Sequence, residues 1–385
     1  MFIFLLLAIA TLGPMTLNMF LPALPVIQAD FAAPYSVLQL SLSLGIITFA
    51  IGTFFNGFLS DRIGRKPTMI LGLWLHIIGN VICIFSPNIW WFIFGRIVMS
   101  YGGAGLAVVI RASISDIYGP KKSTVIYAWL AITMVFAPMI APSVGGYIAE
   151  FFNWRVIFLV LTAVGLLAVG ATIIGIPETR PKFRNKVSPA KDFLLVLKSK
   201  EWWIYAFLCG FVSSESFAFV SGMPYIAETI LHMTPGQYGS WLMLAASGYL
   251  FGNLISTRLA NIKSTFFMTF TGALISSVGA GIMLWCYLTD LKDYYLIFFA
   301  MSVINLGTGV TLPSSISASI NLAGVPRGAS AAMQGLVQSL IPAAVVQYIG
   351  SAYDGTAFVT FACIISITFL TVILSLAGKT LTSRR

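Results

Sequence analysis

The chain of 385 residues carries a single carboxylate well inside an apolar run, Glu215. Counted from Trp202 at about 1.5 Å per helical residue, it lies about 20 Å along an element that would cross about 30 Å of hydrocarbon. An acid at that depth is a functional group by default. Leaving water favours its neutral form, so it can take up and give back a proton as its surroundings open to either side. The competing reading is a permanently protonated side chain, hydrogen-bonded to Ser213, Ser214 or Ser216. Arg96 is the one basic residue within an apolar run, where a charge costs at least about 2.5 kcal/mol. It either faces a cavity or snorkels along its own stem to the interface. The uncharged candidates are Asn18, near the end of the first run, and Gln334 and Gln338, one turn apart and so on one helix face. Each can hold a substrate or glue helices together.

A second group of residues is built for a tight turn. In GFLSDRIGRKPTMILGL (57–73), Gly57 and Gly64 frame Asp61, Arg62, Arg65 and Lys66. A basic topology loop would explain the three cations but not Asp61 or the paired glycines. Farther on, APMIAPSVGG (137–146) places Pro138, Pro142, Gly145 and Gly146 in one apolar run. Proline frees backbone carbonyls there and glycine lets helices approach closely. His76 and His232 have no metal-ligand neighbours, and Cys83, Cys209, Cys286 and Cys363 read as small buried hydrophobes. No metal and no bound cofactor are expected.

The elements that must position these residues follow from composition. AVILMFWYC make up 58% of the chain, DEKR only 9%, and mean hydropathy is +0.93, against about 25% charged residues in ordinary globular proteins. Such a chain belongs in lipid, which excludes a soluble enzyme, a secreted disulfide scaffold and a disordered tail. Apolar runs between polar punctuation predict spans near 2–22, 36–58, 68–86, 90–112, 123–148 and 154–176. Six more are predicted near 202–223, 237–257, 265–287, 294–316, 329–350 and 356–377. No Lys or Arg precedes Arg62, so Met1 to Leu21 reads as a retained span rather than a signal peptide.

With both termini on the cytoplasmic side, nineteen of the 22 basic residues fall inside, Arg155 and Lys292 outside, and Arg96 within a span. The net charge of +10 is therefore a topology signal, not a nucleic-acid footprint. The stretch Pro177 to Lys200 cannot continue a span and divides the chain into a six-helix bundle (1–176), a cytoplasmic linker (177–200) and a second six-helix bundle (201–385). FLSDRIGRK (58–66) is echoed by LISTRLANI (254–262), a duplication of the kind secondary transporters carry.

The 57–66 motif resembles the pattern G-x-L-x-D-R-x-G-R-K of the major facilitator superfamily. Further stretches are similar to its Bcr/CflA-type drug:proton antiporters: NMFLPALP (18–25), with Asn18 where an acid is usual; Arg96, Gly102, Arg111 and Asp116; APMIAPSVGG; and GASAAMQGLVQ (328–338). The resemblance covers nearly the whole chain. It implies twelve transmembrane helices in two six-helix bundles, in the bacterial inner membrane. It also implies that Asp61 meets the N-terminus of the eleventh helix, and that Arg65 pairs with Asp116. Such pairs either gate the cytoplasmic side or only staple helices, since exposed pairs are worth about 0–1 kcal/mol. Arg96 becomes the motif arginine that influences proton binding, and the Pro138–Gly146 segment a seal against leak.

Two functions follow. The first is efflux of small amphipathic compounds by proton antiport and alternating access, with protons, the substrate and the bilayer as the partners. The second is an importer or facilitator of a specific metabolite with weak or no proton coupling, favoured by Asn18, which cannot titrate. A membrane enzyme is disfavoured: His76 has no carboxylate partner in sequence, and no GxxxxGK[ST] loop serves an ATP-driven pump. One chain carries both bundles, so a monomer suffices for a translocation path.

Overall fold

The computed structural model describes residues 2–180, 189–260, 262–322 and 325–382. Among the basic residues counted above, Lys182, Arg184, Lys186, Arg384 and Arg385 lie outside them. Two compact units are present, one within residues 1–185 and 234–240 and one within 186–233 and 241–385.

In the first unit α1 (Phe2–Asn18) stops short, and a single 3-10 turn (Leu21–Ala23) leads into α2 (Leu24–Phe31). The prolines set this break. Pro22 has no N–H for the Asn18 carbonyl, and Pro25 has none for Leu21. The apolar run nevertheless continues to Phe31, nine residues beyond the predicted end. α3 (Tyr35–Ile63) and α4 (Arg65–Ile84) are separated only by Gly64, at φ 110° and ψ 161°, a conformation available essentially to glycine alone.

α5 differs from expectation. The chain is assigned as helix from Ile89 to Phe151, so the predicted loop at 111–122 is itself helical. The chain still reverses within it. Sixteen residues of straight helix would separate Arg111 from Tyr127 by about 24 Å, yet the Tyr127 hydroxyl donates to the Arg111 carbonyl at 2.8 Å. α5 therefore supplies two spans, Ile89–Tyr118 and Trp129–Phe151, and α6 (Arg155–Gly175) completes the unit. Asn88 caps α5 by accepting from the N–H groups of Trp90 and Trp91.

The second unit begins with α7 (Pro189–Lys198), a helix inside the stretch expected to be linker, and continues with α8 (Lys200–Thr229) and with α9 (Pro235–Leu259), whose first residues, through Ser240, belong to the first unit. α10 (Thr265–Leu288), α11 (Tyr294–Ile320), α12 (Arg327–Ala352) and α13 (Phe358–Thr382) follow. Val196 of α7 is buried with Trp202 and Ala206. Trp202, expected in an interface belt, is fully buried and donates its indole N–H to Ser330 Oγ at 2.8 Å. Trp90 and Trp91 are exposed, as belt residues should be.

Eleven spans among the described residues are long and apolar enough to cross a membrane. The remaining predicted span, 237–257, is helical as α9 but diluted by Ser, Gly, Tyr and Asn. Both units use glycine where helices touch. A Cβ on Gly102 of α5 would strike the Gly72 carbonyl of α4, and one on Gly307 of α11 would strike the Gly272 carbonyl of α10. Close backbone approach replaces the missing hydrophobic drive between helices in lipid.

Candidate functional site

Three places in the fold gather the chemistry. The first is the turn between α3 and α4. Arg65 is only 5% exposed, so it is not the surface charge its motif suggested. Its Nη1 donates to Asp61 Oδ1 at 2.6 Å and to Ser60 Oγ at 2.7 Å, and its Nε to Asp116 Oδ2 at 3.0 Å. The guanidinium thus ties α3, α4 and α5 through charge-assisted hydrogen bonds.

Glu178, which the sequence reading passed over, completes this turn. Its carboxylate accepts from the backbone N–H of Arg65 at 2.9 Å and of Lys66 at 3.2 Å, capping the first turn of α4. Burial pushes the Glu178 carboxyl up, but the N–H groups of Arg180, Arg65, Lys66 and Thr179 outweigh it and hold the group below the usual carboxylate range. A Cβ on Gly64 would collide with that carboxylate. Lys66 Nζ donates to the Ile173 carbonyl of α6 at 2.7 Å, and Arg180 Nη1 to the Arg62 carbonyl of α3 at 2.5 Å. The signal in the sequence was the Pro-Glu pair directly after an apolar run, but nothing local says which helix it returns to. Gly57 packs against Val108 of α5.

The second place is Arg96. It is fully buried, so it neither snorkels nor faces an open cavity. Nη1 donates to the Thr16 carbonyl at 2.7 Å, and the guanidinium carbon stands 3.7 Å from the centroid of the Phe20 ring. Thr16 has this carbonyl to give because α1 ends before its helical partner is reached, and the helix C-terminus supplies about half a negative charge. Nε and Nη2 have no partner. None of the ion pairs among the described residues includes Arg96. His76, also buried, adjoins the same strip of α1 at 3.3 Å from Thr16 Oγ1. The Thr16 hydroxyl donates to Leu12, so Nδ1 is the donor, and Asn80 Nδ2 lies 3.1 Å from Nε2. Asn18 bonds back to the Pro14 carbonyl of its own helix at 2.8 Å, not across to another helix.

The third place is Glu215 in the second unit, fully buried. Its Oε2 accepts from Thr308 Oγ1 of α11 at 3.0 Å and from Ser276 Oγ of α10 at 3.4 Å. The three serines offered by sequence proximity do other work. Ser214 bonds Gly210, Ser216 donates to Asn305 Oδ1 at 2.6 Å, and Ser213 accepts from Gln338 Nε2 at 3.0 Å. Helix geometry explains this, since neighbours in sequence point about 100° apart. Gln334 and Gln338 do share a face and bond one another at 2.7 Å, forming with Ser213 a relay on the opposite side of α8 from Glu215.

Of the α5 segment with paired prolines and glycines, Gly145 fits against Met19, whose carbonyl a Cβ there would strike, and Gly146 lies likewise against Pro235. Pro138 and Pro142 sit within unbroken helix, and the Pro142 carbonyl faces Gly239.

Apolar spans in two units, each enclosing a fully buried ionisable side chain and each packed through glycine contacts, define a multi-pass membrane transporter. The chain belongs to the Major Facilitator Superfamily, whose family model matches residues 6–346. The MFS-type transporter YdgK of Bacillus subtilis (strain 168) is 28% identical over 99% of this chain and 95% of its own length. A bicyclomycin resistance protein homolog of Haemophilus influenzae is 29% identical over 65% of this chain and 64% of its own. The multidrug resistance protein MdtL of Salmonella heidelberg is 26% identical over 62% and 61%. Among solved structures, a bacterial homolog of the human lysosomal transporter Spinster superposes with a TM-score of 0.75 at 14% identity, covering 100% of this chain and 96% of that one. The xylose transporter XylE of E. coli gives 0.72 at 13%, covering 97% and 96%. These two likenesses concern the fold.

Proposed function

We propose that the chain exports small amphipathic compounds in exchange for protons, by alternating access, as a Bcr/CflA-type antiporter of the bacterial inner membrane with both termini cytoplasmic. Glu215 carries this reading. It is a fully buried carboxylate that meets only hydroxyls and has one oxygen, Oε1, without a partner. Such an acid is stable in the sealed unit as the neutral form and ionises when water reaches it. Opening first to one side and then to the other would turn it into a proton carrier. The bicyclomycin- and multidrug-resistance names of two relatives support export of drug-like compounds.

In this reading the Asp61–Arg65–Asp116 cluster, framed by Gly57 and Gly64 and flanked by Arg62 and Lys66, closes the cytoplasmic side and breaks when it opens. Pro138, Pro142, Gly145 and Gly146 keep the helices close enough to prevent leak. Asn18, Gln334 and Gln338 supply polar contacts along the path. A metabolite facilitator is the second reading, favoured by Asn18, whose amide is bonded within its own helix and cannot titrate.

The test is substrate-induced proton movement, read by a pH-sensitive dye in everted vesicles carrying the wild type or Glu215→Gln, across a panel of hydrophobic antibiotics. Proton release that the wild type shows and the variant lacks is the expected result. Silence across the panel with inserted, folded wild-type protein would transfer the assignment to the facilitator.

A further inference from the structure

The unpartnered atoms of Arg96 are not scattered over the guanidinium. Nε and Nη2, the two without hydrogen-bond partners, share one edge of the planar group, whereas Nη1 is engaged with the Thr16 carbonyl. That edge presents two parallel N–H bonds, the fork that a carboxylate fills with both oxygens. Two further buried polar atoms without partners lie nearby. A Cβ on Gly45 of α3 would stand 3.3 Å from Ser100 Oγ and 3.5 Å from Arg96 Nη2, so those two atoms converge on the same glycine. Ser41, one turn earlier on α3, carries a second orphan hydroxyl. The group as a whole is rich in donors, and none of the ion pairs among the described residues gives it an anionic acceptor.

Its charge balance is incomplete as well. Arg96 stays charged under all physiological conditions, and its partial compensation comes from the end of α1 and the Phe20 ring. We infer that Arg96, with Ser100 and Ser41, is a carboxylate-binding subsite of the first unit, and that the transported compounds are amphipathic carboxylates. This rests on the transport reading above for there being a substrate, but not on proton coupling. The carboxylate reaches the fork when α3 and α5 part around Gly45 during the cycle. It then replaces an unpaired buried cation by a bidentate ion pair, and the Ser100 and Ser41 hydroxyls donate to its outer lone pairs. The room for it comes from that parting, since a single Cβ on Gly45 would already stand 3.3 Å from Ser100 Oγ, and the Phe20 side of the guanidinium is already covered.

The experiment uses three probes with one tail: decanoate, decanamide and decyltrimethylammonium, bound to the purified full-length protein in an uncharged detergent. Wild-type protein is expected to bind decanoate at least tenfold more tightly than either of the others. Arg96→Lys, which keeps the charge but loses the fork, should lose most of that preference. Arg96→Gln should abolish it while leaving decanamide binding in place. Equal or tighter binding of the amide or the ammonium probe by wild-type protein would overturn the inference, as would a preference that survives Arg96→Gln. The wild-type comparison needs no variant, so a variant that fails to fold cannot shelter the inference. Carboxylate preference without any proton movement in the vesicle assay would overturn proton exchange and leave this subsite standing. Proton movement driven equally by all three head groups would do the reverse.

Discussion

Among the described residues, Arg96 in the first unit and Glu215 in the second are the two Asp, Glu, Lys or Arg side chains that are fully buried without an opposite charge, and they solve the same problem differently. Arg96 cannot shed its charge, so it is placed against the C-terminus of α1 and an aromatic face, and the three N–H donors of Nε and Nη2 still go unused. Glu215 can shed its charge by taking a proton, and its surroundings are hydroxyls that serve either form. The difference teaches a division of labour. In the readings proposed above, the permanent cation recognises a permanent anion, whereas the titratable acid carries a proton. Arg65 sharpens the contrast, since it is nearly as buried as Arg96 yet has two carboxylates and a hydroxyl on its fork.

The largest effect expected is on Glu215. Glu215→Gln keeps an acceptor for Thr308 and Ser276, so insertion and thermal stability should be nearly unchanged while the pH dependence of transport disappears. A pH profile that is the same in both proteins would end the contrast with Arg96. Next comes Asp116→Asn, which leaves Arg65 with one carboxylate. Loss of a hydrogen bond to a buried charged group should cost about 2 kcal/mol, measurable as a lower Tm in detergent. Arg96→Met should go the other way. Replacing a half-compensated buried cation by an apolar side chain of similar reach should raise stability by about 1 kcal/mol. A fall of that size or more would mean that Arg96 is held for stability, not for recognition.

The smallest effect belongs to Glu178→Gln, about 1 kcal/mol at neutral pH for a weakened helix cap. Here pH gives a sharper reading. Because the carboxyl is held below its usual range in the folded chain, its contribution is complete above the unfolded value and is lost as pH falls through the folded one. The gap in Tm between wild type and Glu178→Gln should therefore close in acid, below the ordinary carboxylate range. A gap independent of pH would assign the effect to packing.

Composition and run length determined that the chain lives in a membrane and roughly where it crosses, because hydrocarbon admits only backbone that bonds to itself. They also singled out Arg96 and Glu215, since charge inside an apolar run is costly enough to be rare. The glycine frame of 57–66 made a tight turn legible, whereas the break after Asn18 came to light only in the fold. Partners were another matter. Sequence proximity offered Ser213, Ser214 and Ser216 to Glu215, but helical twist turns them away, and Ser276 and Thr308 arrive from helices 61 and 93 residues distant. Arg96 looked able to snorkel until the end of α1 and Phe20 closed over it. Glu178 looked like linker until it folded back onto the start of α4. Local sequence fixes which groups are expensive to bury, because that cost is a property of the side chain; which atoms meet them is decided by helix packing, because those atoms come from distant parts of the chain.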